Sequence, residues 1–380
     1  MTGAAGRGDV RREMYETYGD IRILKKCYDM MKKWVEYQNS TDRRNYGVRT
    51  VDGKEVPEQS DLATIPYIQV QQCRGDHLTY DNSTPYIYSA TAYAAHSADI
   101  LRRTAYILGK TDDEKRYTEL FENIKRAFND AWVNDDGSVS YYGEVSSQTA
   151  HCGESVALDG SVTRYTYYAE NTPHCPSQTA YALAVDFDLI PTDKLKNTRE
   201  YFKNSILRNN GKLTVGFLGI SHLAPALSKV DLDDVAFKLL EQEDNPSWLY
   251  SVKNGATTIW ERWNSYIAET DTFGDVSMNS FNHYSYGAIG QWFFTDILGI
   301  RPVEFGYKSF MLAPKFGGGL TYAKGSFTSP YGKISSAWKL HDGKFTYDCT
   351  VPTNTTATLK LPNGDIHTLV GGSYHFEIDV

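Results

Sequence analysis

The sequence predicts a mainly α protein with a C-terminal all-β module, and two observations carry that expectation. Up to about residue 300, apolar residues recur at three- and four-residue steps between caps and breakers. After Arg301-Pro302 the pattern changes to short β-rich runs separated by turns at hairpin spacing. The chain therefore divides into a helical region, 1–300, and a β module, 301–380.

Ile21, Leu24, Tyr28, Met31 and Val35 lie on one face of a helix that follows Gly19-Asp20. Pro85, behind Ser83 and Thr84, opens a second helix whose stripe of Ala90, Ala94, Leu101, Ala105 and Leu108 stops at Gly109. Tyr117, Leu120, Ile124 and Phe128 mark a third after the cap candidate Asp112, and further helices are expected at 177–188, 192–208, 232–241 and 284–298. The Ala- and Gly-rich faces at 90–95 and 287–290 let helices approach closely, which favours an inner ring. In the tail, 335–340, 344–349 and 356–361 are strands, with turns at 341–343 and 362–365. A module of about 80 residues is small for an independent domain, so it should share core with the helices. Residues 40–82 and 136–176 carry no regular pattern; they are either functional rims or surface excursions.

Composition narrows the function. Of 380 residues 41% are hydrophobic and 23% charged, which excludes collagenous, coiled-coil and disordered classes. The 39 Lys+Arg against 47 Asp+Glu, with no long basic run, argue against nucleic-acid binding. No window of 18 apolar residues and no apolar core behind the N-terminal basic residues are present, so neither a membrane span nor a signal peptide is expected in the chain as written, which reads as cytoplasmic while the compartment stays open. The 28 Tyr, 16 Phe and 7 Trp suit either a large core or the faces of sugars. Five cysteines (27, 73, 152, 175, 349) show no CxxC spacing, so neither a disulfide framework nor a zinc site is expected, although Cys152 and Cys175 have His151 and His174 beside them. Asp231-Leu232-Asp233-Asp234 has the acids of a diphosphate-binding motif but the position of a helix cap, and no phosphate loop or dinucleotide fingerprint appears. No cofactor and no metal are implied.

The densest chemical signal is the run Gly255 to Asn264, where Glu261 stands between Trp260 and Trp263. Glycoside hydrolysis needs two carboxylates, in inverting enzymes roughly 6.5–9.5 Å apart so that a water fits between base and sugar. Glu261 is the candidate base; its structural alternative is a surface pair with Arg262 between two core tryptophans. Twenty residues on, Ser280-Phe281-Asn282-His283-Tyr284 opens a helix, and His283 is either a donor to a hydroxyl or a satisfied cap. Leu213 to Gly219 forms a Gly-bracketed loop with Phe217 at its tip, and Asn245-Pro246-Ser247-Trp248 presents a tryptophan at a turn.

These blocks, with Gly8-Asp9, Tyr15 to Leu24, Gly75-Asp76, Ser83-Thr84-Pro85, Ala90 to Tyr93, Gln178 to Leu183, Gly317-Gly318-Gly319 and Val351 to Thr355, come in one order from about Gly8 to the end. In that order the chain resembles the C-terminal portion of a bacterial α-L-rhamnosidase of glycoside hydrolase family 78. The resemblance implies an (α/α)6 toroid, a C-terminal antiparallel β-sandwich and inverting hydrolysis of terminal α-L-rhamnose. It assigns the base to Glu261 and the sugar pocket to His283, Trp260, Trp263, Phe217, Trp248 and Asp9. Rhamnose-containing glycosides or polysaccharides would be its substrates.

Departures from the family pattern set further expectations. The family's Asp-Cys-Pro-x-Arg-Glu-Arg segment, which supplies the general acid, lies upstream of the Gly8-Asp9 block and is not among these residues. About eight or nine helices are readable, so the toroid is expected to be incomplete, lacking its first members and the N-terminal β domains. The family's Gly-Asp-Trp-Leu reads Gly75-Asp76-His77-Leu78, and 140–175 looks like an insertion. The expectation is an impaired glycosidase, with Asp76, Asp81, Glu144 and Glu154 as reserve acids. The alternatives are a rhamnoside-binding or structural remnant, or one part of a split enzyme that self-associates through an open face.

Overall fold

A computed structural model describes residues 13–40, 48–51, 54–57, 66–69, 75–80, 84–140, 152–156, 162–166 and 176–380, with backbone alone in the strands between 48 and 57 and between 152 and 166. A short helix at 13–18 (α1) leads into α2 (Ile21–Gln38). Asp20 caps α2 by accepting from the Arg22 amide at 3.0 Å, and Leu24, Tyr28, Met31 and Val35 bury its apolar stripe. The hairpin strands β1 (Val48–Val51) and β2 (Lys54–Pro57) follow, then the long helices α3 (Tyr86–Ile107) and α4 (Thr111–Trp132). A second hairpin, β3 (Cys152–Val156) and β4 (Val162–Thr166), precedes α5 (Gln178–Asp186), α6 (Leu195–Leu207), α7 (Ile220–Lys229) and α8 (Asp233–Leu240). Both hairpins fall in the stretches without a readable pattern.

The helices form two layers, and composition sorts them. Alanine-rich α3 and α5 are buried nearly all round, whereas α4 and α6 bury one stripe each. Helix α3 packs on α2, α4 and α5, and α5 packs in turn on α6 and α7. Asp113 of α4 ties the outer layer together, accepting from the Tyr28 hydroxyl at 2.7 Å and from Lys32 Nζ at 2.8 Å.

Beyond the short α9 (Trp248–Lys253) and the two-residue strands β5 (Tyr266–Ile267) and β6 (Thr272–Phe273), the helix expected at 284–298 is broken into three windings. A 3-10 turn at Ser285–Ala288 passes into α10 (Ile289–Trp292) and a π-type turn at Phe293–Ile297. The buried residues explain it. Tyr286, Ile289 and Trp292 are three apart, which the tighter winding aligns, and the next buried pair, Asp296 and Ile297, needs the wider one.

The β module is a pair of four-stranded sheets. One has the order β14 (Gly372–Asp379), β11 (Lys344–Val351), β10 (Gly332–His341), β9 (Tyr322–Ser329) and is antiparallel throughout. The other has the order β13 (Ile366–Leu369), β12 (Thr356–Lys360), β8 (Ser309–Leu312), β7 (Ile300–Pro302). Its central pair β12 and β8 is parallel, so the expected antiparallel sandwich holds with one exception; the intervening β9, β10 and β11 supply the long crossover a parallel pair needs. Inward residues alternate along β10 and β11. The sheets share one core with the helices: Trp338 donates its indole N–H to the Ile297 carbonyl at 2.9 Å, and Ser336 donates to that of Leu298 at 2.7 Å.

Candidate active site

Two irregular segments meet backbone to backbone at Glu261. Its amide donates to the Ser280 carbonyl at 2.8 Å, and its Oε2 accepts from the Ser280 amide, also at 2.8 Å. Next to this exchange the His283 amide donates to the Ile259 carbonyl at 2.8 Å. The pairing brings Glu261 and His283 onto adjoining strands of chain although 22 positions separate them in sequence. Glu261 is half-buried, and its Oε1 has no partner among the described residues, so one carboxylate oxygen stays available to a ligand. Arg262 does not take it: the guanidinium donates to the Met278 carbonyl at 2.9 Å and pairs with Asp275 at 3.2 Å. The reading of Glu261 as half of a surface pair with Arg262 is therefore overturned.

An aromatic row lies beside the carboxylate. Phe217 stacks on His283 with centroids 4.9 Å apart, His283 stacks on the exposed Tyr284 at 5.4 Å, and His77 meets Phe217 edge-on at 5.5 Å. His283 Nδ1 accepts from the Ser285 amide at 3.3 Å, which leaves Nε2 as the side that can carry the proton. Behind the row, Tyr286 stacks on Trp263 at 3.8 Å and Trp263 meets Trp248 edge-on at 5.4 Å. Trp263 is 2% exposed and donates to the Val215 carbonyl at 3.0 Å; Trp248 donates to that of Tyr286 at 2.9 Å. Both indoles thus back the row. Trp260, itself buried, faces Phe281 edge-on at 5.2 Å, and Phe281 leads to the exposed Phe273. Burial, joined by the negative charges of Asp76 and Glu261, holds the Tyr286 hydroxyl far above the usual tyrosine range despite Arg262, so it stays protonated.

Asp76 has a different place from that of a reserve acid. Its Oδ1 accepts from the amides of Leu218 at 2.7 Å and Gly219 at 3.1 Å, and its Oδ2 from the Gly216 amide at 2.8 Å and the Thr179 hydroxyl. All its lone pairs are spent, and it is buried, so it has no oxygen to offer a leaving group. Asp9, Asp81 and Glu144, with Cys73, Cys175, His151 and His174, lie outside the described residues, as do the side chains of Cys152 and Glu154. Among the described residues no group of three potential metal ligands comes together, and Cys27 and Cys349 are free thiols. No described helix is long and apolar enough to cross a membrane.

Known proteins are similar to this chain. The family model of the bacterial alpha-L-rhamnosidase 6 hairpin glycosidase domain matches residues 10–297, and that of the bacterial alpha-L-rhamnosidase C-terminal domain matches 299–376. An alpha-L-rhamnosidase of Formosa agariphila is 32% identical over 372 residues, 96% of this chain and 35% of its own length. One of Streptomyces avermitilis is 34% identical over 365 residues, 95% of this chain and 30% of its own. The crystal structure of Streptomyces avermitilis alpha-L-rhamnosidase complexed with L-rhamnose superposes with a TM-score of 0.78 at 30% identity, covering 97% of this chain and 32% of that one. That of the Aspergillus terreus enzyme gives 0.74 at 27% identity, covering 97% and 38%. The chain thus spans about a third of the length of the curated relatives it matches.

Proposed function

Because the chain belongs to the bacterial α-L-rhamnosidase six-hairpin glycosidase family, we propose that it carries the base half of an inverting rhamnosidase site, with Glu261 drawing a proton from the attacking water. The carrying observation is the carboxylate itself: one oxygen is pinned by the Ser280 amide while the other is open beside a row of stacked rings. Pinning fixes the direction in which the base acts. The row Phe217, His283, Tyr284 ends in the exposed Tyr284 ring, a flat face for a deoxy sugar, and His283 Nε2–H is a donor for one of its hydroxyls. Trp263 and Trp248 contribute by backing these groups, and Trp260 lies buried against Phe281.

The leaving oxygen needs an acid as well, and the segment to which the resemblance assigns it is not among these residues. Tested alone, the chain should therefore hydrolyse natural glycosides slowly, since general acid catalysis is typically worth about 10²–10⁴-fold. A p-nitrophenyl leaving group departs with little protonation and isolates the base. Turnover of p-nitrophenyl α-L-rhamnoside should fall about 10²–10⁴-fold in Glu261→Gln with KM little changed. Equal rates in both proteins would remove Glu261 from the role.

The same half-site favours a second reading, rhamnoside binding without cleavage. Calorimetric binding of L-rhamnose with no turnover of the activated substrate would select it.

A further inference from the structure

Resting on the proposed function, we infer that Asp76 is a positioning residue for the sugar wall: its buried carboxylate gathers the 216–219 turn so that Phe217 lies against His283. The turn stands just before α7, so the amides of Gly216, Leu218 and Gly219 have no partner within the helix. No side chain of the turn supplies one. Asp76 does so from 140 or more positions away, satisfying the amides of Gly216, Leu218 and Gly219 together, with the Thr179 hydroxyl of α5 closing the set. Its neighbour completes the clamp: the Phe217 amide donates to the His77 carbonyl at 2.9 Å. Both sides of the Phe217 backbone are therefore held by the pair Asp76-His77, and the ring can only point where the turn sends it, onto His283.

Asp76→Asn keeps the shape but turns two acceptor sites into N–H groups facing amides, so the turn must reopen. Three readouts distinguish positioning from general support. With histidine labelled at Cε1, the NMR signal of His283, assigned through His283→Gln, senses the ring current of Phe217, and Phe217→Ala defines its complete loss. In Asp76→Asn that signal should move toward the Phe217→Ala position while the signal of His375, on β14, stays. L-rhamnose affinity by calorimetry should weaken about tenfold, and KM for p-nitrophenyl α-L-rhamnoside rise by about the same factor with kcat nearly unchanged. Added to Phe217→Ala, Asp76→Asn should cost no further affinity.

Thr179→Val, which removes a single donor, should give a smaller change of the same kind and serves if Asp76→Asn does not fold. An unmoved His283 signal in either folded variant, or additive losses in the double variant, overturns the inference. If the wild-type chain neither binds nor cleaves rhamnosides, the proposed function fails, and the NMR arm still decides the role of Asp76.

Discussion

A Cβ on Gly216 would lie 2.2 Å from the His77 carbonyl oxygen and 2.7 Å from the Thr79 amide nitrogen, both backbone atoms that cannot step aside. Gly216→Ala should therefore pry apart the two segments that hold Phe217, with a stability loss of about 1–3 kcal/mol in urea titration and weaker rhamnose binding. An alanine variant of wild-type stability would mean that the segments can separate freely. Cys349, on the inner side of β11, makes a second residue-level case. Burial, with the Asp348 charge beside it, pushes its thiol up to about 12. Above about pH 9 the thiol ionises in the unfolded chain but not in the fold, which favours the unfolded chain, so stability falls as pH rises from 9 toward 12. At pH 8 native Cys349 should resist alkylation that labels it readily in denaturant, as peptide mass spectrometry would report; rapid native labelling would contradict its burial.

At the level of elements, the caps decide where aromatic side chains stand. Ser247 is fully buried and accepts from the Tyr250 amide at 3.0 Å, starting α9 so that Trp248 can reach the Tyr286 carbonyl. Ser247→Ala should cost about 1 kcal/mol and blunt the fluorescence response of the chain to rhamnose; unchanged stability would show that the cap is replaceable. Elements of this kind were legible where their information is local. The stripes of α2, α3 and α4 are periodic within themselves, and hairpin turns mark β10 and β11. The 284–298 segment reads as one helix in the sequence because three-residue and five-residue spacings of buried side chains average to a helical period. The parallel pairing of β12 with β8 and the edge strands were invisible, since they depend on crossovers rather than on neighbours. At the site, Glu261 and His283 stood out as chemical types in dense motifs. What Asp76 does, and that Arg262 turns to Asp275 rather than to Glu261, depends on contacts between segments distant in sequence or on a loop without periodicity.

On the scale of the whole molecule, the site depends on the β module although no β residue enters it. Asp296, in the π-type turn that follows α10, is almost fully buried and is held by Arg301 of β7 and by Lys315 at 3.4 Å; Lys315 reaches on to Asp233 of α8 at 2.7 Å. Glu241, just past α8, accepts from the Gly319 amide at 2.6 Å. The bonds at Asp296, with those from Trp338 and Ser336, cross between the helices and the sheets at the C-terminal end of the 285–297 segment, whose first turn carries Tyr286, three residues after His283. Loosening them should loosen the aromatic row as well. Unfolding followed by far-ultraviolet circular dichroism and by tryptophan fluorescence should therefore give one coincident transition. Asp296→Asn leaves two cations facing an amide; because both are partly exposed to water, the loss should be about 1–3 kcal/mol and should lower that single transition without splitting it. Two separated transitions, with the β module surviving after the helices melt, would mean that the sheets stand on their own and that the site owes its order to the helices alone.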